Sequence, residues 1–339
     1  MIIAKSEEFT NPLVEAAQII RKGGLVVFPT ETVYGLGANA LDAKAALKIF
    51  KAKKRPVNNP LIVHIAEKKD IKKIVASVPA MAQKLIDKFW PGPLTIIFKK
   101  KEIIPNEVTA GLETVAVRLP NHALARAFIR EAGVPIAAPS ANLSGRPSST
   151  EASHAKKDLG KKPIFILDGG RSKFGVESTI INILENPPVI LRQGAVTREA
   201  LQKVLGQVAV LNSKNSKIIS PGTRYRHYAP RTKLALIGSS WQASPKEIEL
   251  TIIKYHLKNK KVGVLGTREN YHFYKKADRV LLLGSQKNLP TCAVNLYKSF
   301  RDFDRFGDVD LILAEIFPEK ELGAVIMDRL RRAAENYSC

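Results

Sequence analysis

Short apolar runs recur along nearly the whole chain, each followed by a turn signal or an amphipathic stretch. Such runs are strands buried on both faces, and strands buried on both faces need helices to cover them. The pattern restricts the chain to an α/β architecture. Leu13–Arg21 reads as a helix ended by Gly23-Gly24, and Leu25–Pro29 as a buried strand. Ala43–Lys53 is helical and Leu61–Ile65 strand-like. A helix over Pro79–Phe89 stops at Trp90-Pro91-Gly92-Pro93, a stiff turn that feeds the strand Leu94–Lys99. Val115–Leu119, Ile136–Ala138, Ile164–Leu167, Ser178–Ile183 and Val189–Arg192 are further short strands. With many strands and few helices, the expectation is a large twisted mixed sheet with helices packed around it.

The 339 residues exceed what one core usually spans, so two domains are expected. After a helix over Thr197–Gly206, the polar run 212–217 and SPGTRYRHYAP, residues 220–230, mark a linker. Beyond Thr232 strands and helices alternate regularly, the signature of a small parallel, doubly wound, Rossmann-like domain. The division expected is 10–200 for the first domain, 201–232 for the linker and 233–339 for the second.

The net charge of +23 fits either a nucleic-acid partner or a well-solvated surface. Lysine pairs such as Lys68-Lys69 and Lys72-Lys73 on a probable helix fit the solvated surface. No apolar run approaches the ~18 residues of a membrane span. The start, MIIAKSEEFTNP, lacks a signal peptide's basic region and apolar core, so a cytoplasmic location is expected. Cys292 and Cys339 suggest neither a disulfide framework nor a zinc site.

Several polar segments fall at the ends of apolar strands, where α/β proteins place ligands. PTETVYGLGANA, residues 29–40, fits a loose G-x-G-x-x-A pattern. Thr30 and Thr32 intervene before its glycines, however, and position 55 is arginine where a dinucleotide site needs an acid. In KAKKRPVNNPLIVHI, residues 51–65, Lys53 and Arg55 can clamp phosphate oxygens. They can equally be an exposed helix end favoured by the helix dipole. His64, on a strand, reads as a packed histidine. Arg118 stands inside the otherwise apolar VAVRLP, so it must pair with an internal carboxylate or a ligand's. APSANLSGRPSST, residues 138–150, concentrates hydroxyls and amides suited to phosphate or ribose. GVESTI brings Ser178 and Thr179 to a strand start, and LRQG ends a strand at Arg192. There is no P-loop, H-E-x-x-H or G-x-S-x-G, so any ATP site must be built from hydroxyls and arginines.

In order and spacing, PTETVYGLG, KAKKRPVNNPLIVHI, FWPGPLT, VAVRLP, GVPIAAPSANLSG, GVESTI and LRQG resemble the YrdC-type threonylcarbamoyl-adenylate synthases. The match runs from about Leu13 to Arg198. The linker and the domain after it resemble the long, two-domain form. The resemblance implies an α/β fold with a basic cavity, and a nucleotidyltransferase that condenses L-threonine, bicarbonate and ATP to threonylcarbamoyl-AMP and pyrophosphate. The product then serves N6-threonylcarbamoyladenosine formation at position 37 of tRNAs reading codons that begin with A. It implies that threonine is held by Thr32, His64, Arg118, the backbone at Ala138, and Ser178. It assigns ATP to Lys53, Arg55, Asn59, Thr114, Ser140, Asn142, Ser148 and Arg192. Lys53, Arg55, Ser140 and Asn142 are the catalytic set, and Tyr225 of the linker closes over the nucleotide as part of a lid. Mg2+ is expected with ATP and not on protein side chains. A hand-off to a tRNA threonylcarbamoyl transferase and a weak contact with tRNA are further expectations.

The chemistry brings anions together, so fixed positive charge and aligned donors are the main need. Few acidic residues stand in the motifs, which suits a reaction with little general acid–base work. Lys54 departs from the family by standing where glycine or a small polar residue is common. Ser149 and Thr223 replace a usual proline and a usual methionine. The alternative is an RNA-binding module without catalysis. The charge fits it, whereas aromatics, the usual stacking platforms for RNA, are only 7%.

Overall fold

The computed structural model describes residues 3–5, 10–160, 164–211, 228–238 and 245–334. By compactness the chain divides into two units, Met1–Ser144 with Ser148–Tyr225, and Gly145–Pro147 with Arg226–Cys339.

Among the described residues, the first unit carries an 11-stranded sheet. Its strands begin with β1 (Ile3–Lys5), β2 (Val26–Phe28), β3 (Gly35–Asn39) and β4 (Ile62–His64). They continue with β5 (Leu94–Lys99), β6 (Thr114–Arg118), β7 (Ile136–Ala137) and β8 (Phe165–Asp168). The last are β9 (Thr179–Asn182), β10 (Val189–Arg192) and β11 (Ala209–Val210). The order across the sheet is β1-β8-β2-β3-β7-β4-β6-β5-β9-β10-β11, with parallel and antiparallel pairs intermixed. The expected mixed sheet is present.

Gly35–Asn39 is a strand, although its sequence reads as a glycine-rich loop. A Cβ at Gly37 would stand 2.7 Å from Ile136 Cγ2 and 3.0 Å from Phe28 Cε1. The glycines that weaken a strand by propensity are here required by the close approach of their neighbours. The helix Ala123–Ala132 also lies outside the helices read from sequence. It buries Leu124, Ala125, Phe128, Ile129 and Ala132 in a cluster with Ala16, Ala17, Ile20 and Phe28.

The helix Ala43–Lys53 has the boundaries the sequence suggests. Asp42 caps its start, accepting from Ala45 N at 3.1 Å. Its C-cap is Lys54, in the left-handed conformation with φ 52°. That conformation is the physical reason a glycine suits this position. It fixes the helix end so that Lys53 turns inward, 1% exposed, while Lys54 remains exposed.

Among its described residues the second unit has four parallel strands, β12 (Lys233–Leu236), β13 (Val262–Thr267), β14 (Arg279–Gly284) and β15 (Leu311–Ala314), in the order β12-β15-β13-β14. Helices Pro245–His256, Leu289–Phe306 and Glu321–Ala334 alternate with them as expected of a doubly wound sheet. Its core includes Ala235, Ile252, Val264, Tyr274 and Leu313.

Candidate active site

The site is built where adjacent strands of the first unit end. Parallel pairing of β4 with β6 sets His64 opposite Arg118. The segment after β2 turns back through Thr30, whose Oγ1 donates to Val33 O at 2.6 Å and lies 2.9 Å from Thr32 Oγ1. That turn delivers Thr32 to Arg118 Nη1, which donates to the hydroxyl at 2.8 Å. Arg118 Nε donates to Gly92 O at 3.3 Å, within the Trp90–Pro93 turn. Pro93 O in turn accepts from Thr179 N at 3.0 Å, tying the arginine to the start of β9.

At that start Ser178 Oγ lies 2.8 Å from Thr95 Oγ1. Arg192 donates to Ser178 O from Nε at 3.1 Å and from Nη2 at 2.9 Å, and to Ser178 Oγ at 3.1 Å. Gly194 makes room for this, since a Cβ there would stand 2.4 Å from Glu177 O and Thr179 N.

Lys53 reaches the other polar segment. Its Nζ donates to the carbonyls of both Ser140 and Asn142, while its own carbonyl accepts from Ser144 N at 3.0 Å. The ammonium therefore braces residues 140–144. Ala138 N donates to Ile62 O at 2.8 Å, pinning the start of this loop to β4. Ser148 Oγ donates to Glu177 Oε1 at 2.5 Å. Arg55 donates to Asn59 O at 3.1 Å, to Asn59 Oδ1 and to Pro60 O at 2.9 Å, stiffening its own loop.

The structure thus joins Thr32, His64 and Arg118, joins Ser178 and Arg192, joins Lys53, Ser140 and Asn142, and joins Arg55 and Asn59. Thr114 opens β6 at the end opposite Arg118, about 13 Å away along the strand. Tyr225 and most of SPGTRYRHYAP lie outside the described residues, as does the polar run 212–217. A cavity of about 440 Å³ bounded by Ile65, Ile74, Ile129 and Pro135 contains none of these site residues.

The scarcity of acids in the motifs does not carry over to the site. Glu31 of PTETVYG and Glu177 of GVESTI are both 4% exposed and adjoin Thr32 and Ser178. The signal for both was a carboxylate inside a motif of apolar and hydroxyl residues. Glu31 Oε1 stands 2.8 Å from Arg118 Nη2, so the buried arginine has an internal carboxylate for a partner.

Burial, reinforced by the charge of Arg118, pushes His64 down from 6.5 to about 3. It is therefore neutral at physiological pH, its ring edge-on to Phe28 at 5.8 Å. Between pH 6.5 and 3 the unfolded chain binds a proton here that the native chain does not, so stability falls as pH falls. From pH 7 to pH 5 the loss due to His64 is expected to be about 2 kcal/mol. Urea unfolding at the two pH values checks this, because His64→Gln will remove that part of the loss.

The first unit thus sets buried arginines, hydroxyls and a lysine-braced polar loop on a mixed α/β sheet. Residues 18–194 match the Sua5_yciO_yrdC family, described as Telomere recombination, which gives the class. Residues 196–335 match the family described as Threonylcarbamoyl-AMP synthase, C-terminal domain. The chain belongs to the threonylcarbamoyl-AMP synthase family, in its long two-domain form. It is 46% identical to the threonylcarbamoyl-AMP synthase of Bacillus subtilis over 95% of this chain and 92% of that one. It is 45% identical to the Pyrococcus abyssi enzyme over 94% and 93%. The solved structure of Pyrococcus abyssi Sua5 complexed with L-threonine superposes with a TM-score of 0.92 at 43% identity, covering 100% of this chain and 99% of the other.

Proposed function

We propose that the first unit condenses L-threonine, bicarbonate and ATP at the Arg118 cluster, releasing pyrophosphate and forming threonylcarbamoyl-AMP. The chain is a threonylcarbamoyl-AMP synthase, an adenylate-forming nucleotidyltransferase of tRNA modification. The observation that carries the residue-level reading is the buried Arg118, held by Thr32 and set opposite His64. Its guanidinium suits a carboxylate removed from water.

In this reading the threonine carboxylate lies on Arg118, with Thr32, His64, the Ala138 backbone and Ser178 around the rest of the substrate. Neutral His64 offers a ring nitrogen, Nδ1, that has no hydrogen-bond partner among the described residues and can meet the threonine hydroxyl. The carbamate oxygen attacks the α-phosphorus of ATP, and the P–O bond to pyrophosphate breaks. Ser140, Asn142 and Ser148 position the nucleotide, Arg55 and Asn59 the phosphates, and Arg192 the developing charge. Thr114 and Tyr225 are further nucleotide contacts in this reading. Lys53 acts by holding the Ser140–Asn142 loop in shape. Mg2+ arrives as the MgATP substrate. Burial of the carbamate and the mixed anhydride keeps water from both.

The adenylate is unstable, which supports direct delivery to a transferase that acts on tRNA, with weak tRNA contact through the basic surface. This chemistry suits the cytoplasm, and no described helix is long and apolar enough to cross a membrane. The test is pyrophosphate release from ATP and bicarbonate with and without L-threonine. Threonine-dependent release with serine a poor substitute is the expected result, and release indifferent to threonine would sink the reading.

A further inference from the structure

Glu31 is 4% exposed. Although its Oε1 is 2.8 Å from Arg118 Nη2, among the described residues neither carboxylate oxygen receives a hydrogen bond and Nη2 donates none. The contact is an ion pair whose N–H misses the oxygen. Glu177 shows the contrast, because Ser148 Oγ donates to it at 2.5 Å. A buried carboxylate kept only for packing would be supplied with donors in the same way. His122 and His64 are titratable groups that feel the charges of this pair. Burial lowers His122, and the charge of Glu31 opposes that shift. The charge of Arg118 helps keep His64 neutral.

We propose that Glu31 receives the ammonium group of L-threonine and takes the proton the amine must lose on carboxylation. The inference rests on the placement of the threonine carboxylate at Arg118. In an α-amino acid the ammonium and the carboxylate share one carbon, so both charges fall close together. A zwitterion whose carboxylate lies on Arg118 sets its ammonium beside the carboxylate already touching that guanidinium. The Arg118–Glu31 pair is then a charge complement to the zwitterion, and the unfilled Glu31 oxygens gain their donors.

The proton balance gives Glu31 its second task. The ammonium and bicarbonate become carbamate, water and one proton. Glu31 first takes one ammonium proton, which frees the nitrogen lone pair to form the N–C bond as the C–OH bond of bicarbonate breaks. The departing hydroxide takes a second proton from that nitrogen and leaves as water, so the carbamate nitrogen is neutral. Protonation of Glu31 also removes a negative charge from the site as the new carbamate anion forms.

Calorimetric titration of the full chain with two ligands tests this. One is L-threonine, and the other is (R)-3-hydroxybutanoate, which keeps the carboxylate and hydroxyl but has no nitrogen. Glu31→Gln is expected to weaken threonine at least tenfold while the nitrogen-free acid binds equally or more tightly. Glu31→Asp is expected to restore part of the preference for threonine. Pyrophosphate release by Glu31→Gln at saturating threonine is expected to fall about a hundredfold at pH 7.5 and to recover at higher pH, where free amine is available. Retained ATP binding in each variant verifies the fold. Equal weakening of both ligands, or unchanged threonine affinity in both variants, overturns the role of Glu31. An Arg118→Ala variant that still binds both ligands overturns the carboxylate placement instead.

Discussion

Arg118→Ala will abolish threonine-dependent pyrophosphate release, with kcat/KM for threonine down at least a hundredfold. Three effects combine. The substrate carboxylate loses its only proposed ion-pair partner in a dry site, where a charge-assisted contact is worth about 1.5–3 kcal/mol. Thr32 Oγ1 loses its guanidinium donor and is held only through its contact with Thr30 Oγ1. Glu31 is left buried without its ion partner, and breaking a buried pair from one side typically costs about 3–5 kcal/mol. Denaturant unfolding will therefore show a loss of about 3 kcal/mol or more. Threonine affinity, measured separately by calorimetry, will fall by about a hundredfold, since 1.4 kcal/mol is tenfold.

Arg118→Lys separates charge from geometry. Lysine keeps the positive charge but cannot reach Thr32, Gly92 O and a carboxylate at once, because it lacks the rigid fork. It will recover most of the stability and little of the activity. If Arg118→Lys were as active as the natural chain, the role of Arg118 would be only to neutralise Glu31.

The sequence revealed the sheet wherever an apolar run stood alone, and the site wherever a polar residue interrupted one. Arg118 in VAVRLP is the clearest instance, since a lone charge between apolar neighbours requires a buried partner. The identity of that partner was not legible. Glu31 lies 87 positions away in sequence, and only the pairing of β4 with β6 and the turn after β2 bring it near. The strand Gly35–Asn39 was hidden for a related reason. Its glycines answer to Phe28 and Ile136, which the fold alone places against it. The helix Ala123–Ala132 was legible in periodicity, with Leu124, Phe128 and Ile129 on one face, but sits between two strands that dominated the local reading. Lys53 illustrates a limit of motif reasoning. A lysine in a phosphate-binding motif reads as a phosphate ligand, whereas its ammonium is bonded to two backbone carbonyls.

That placement makes Lys53→Met the second large effect, and one that differs in kind from the loss of Arg118. Methionine preserves the length and burial of the side chain at the end of the Ala43–Lys53 helix, so the helix itself will persist. What disappears is the donor shared by Ser140 O and Asn142 O; Ser140 O keeps its bond from Asn142 N at 3.0 Å, so the loss falls mainly on the buried Asn142 O. Unsatisfied buried groups cost about 1–3 kcal/mol each, partly offset because a buried ammonium no longer has to be desolvated. The net expectation is a modest stability loss of about 2 kcal/mol. Activity will fall far more, by about a hundredfold, because a loop displaced by even an ångström misplaces the nucleotide relative to the carbamate. Threonine affinity will remain within about threefold of the natural chain, since Arg118, Thr32 and Glu31 are untouched, while ATP affinity will drop by tenfold or more. Calorimetry with each substrate separates the two. Were threonine binding lost along with ATP binding, the loop 140–144 would have to be part of the amino-acid site. Were both retained with turnover lost, Lys53 would have to act on the reacting phosphate itself.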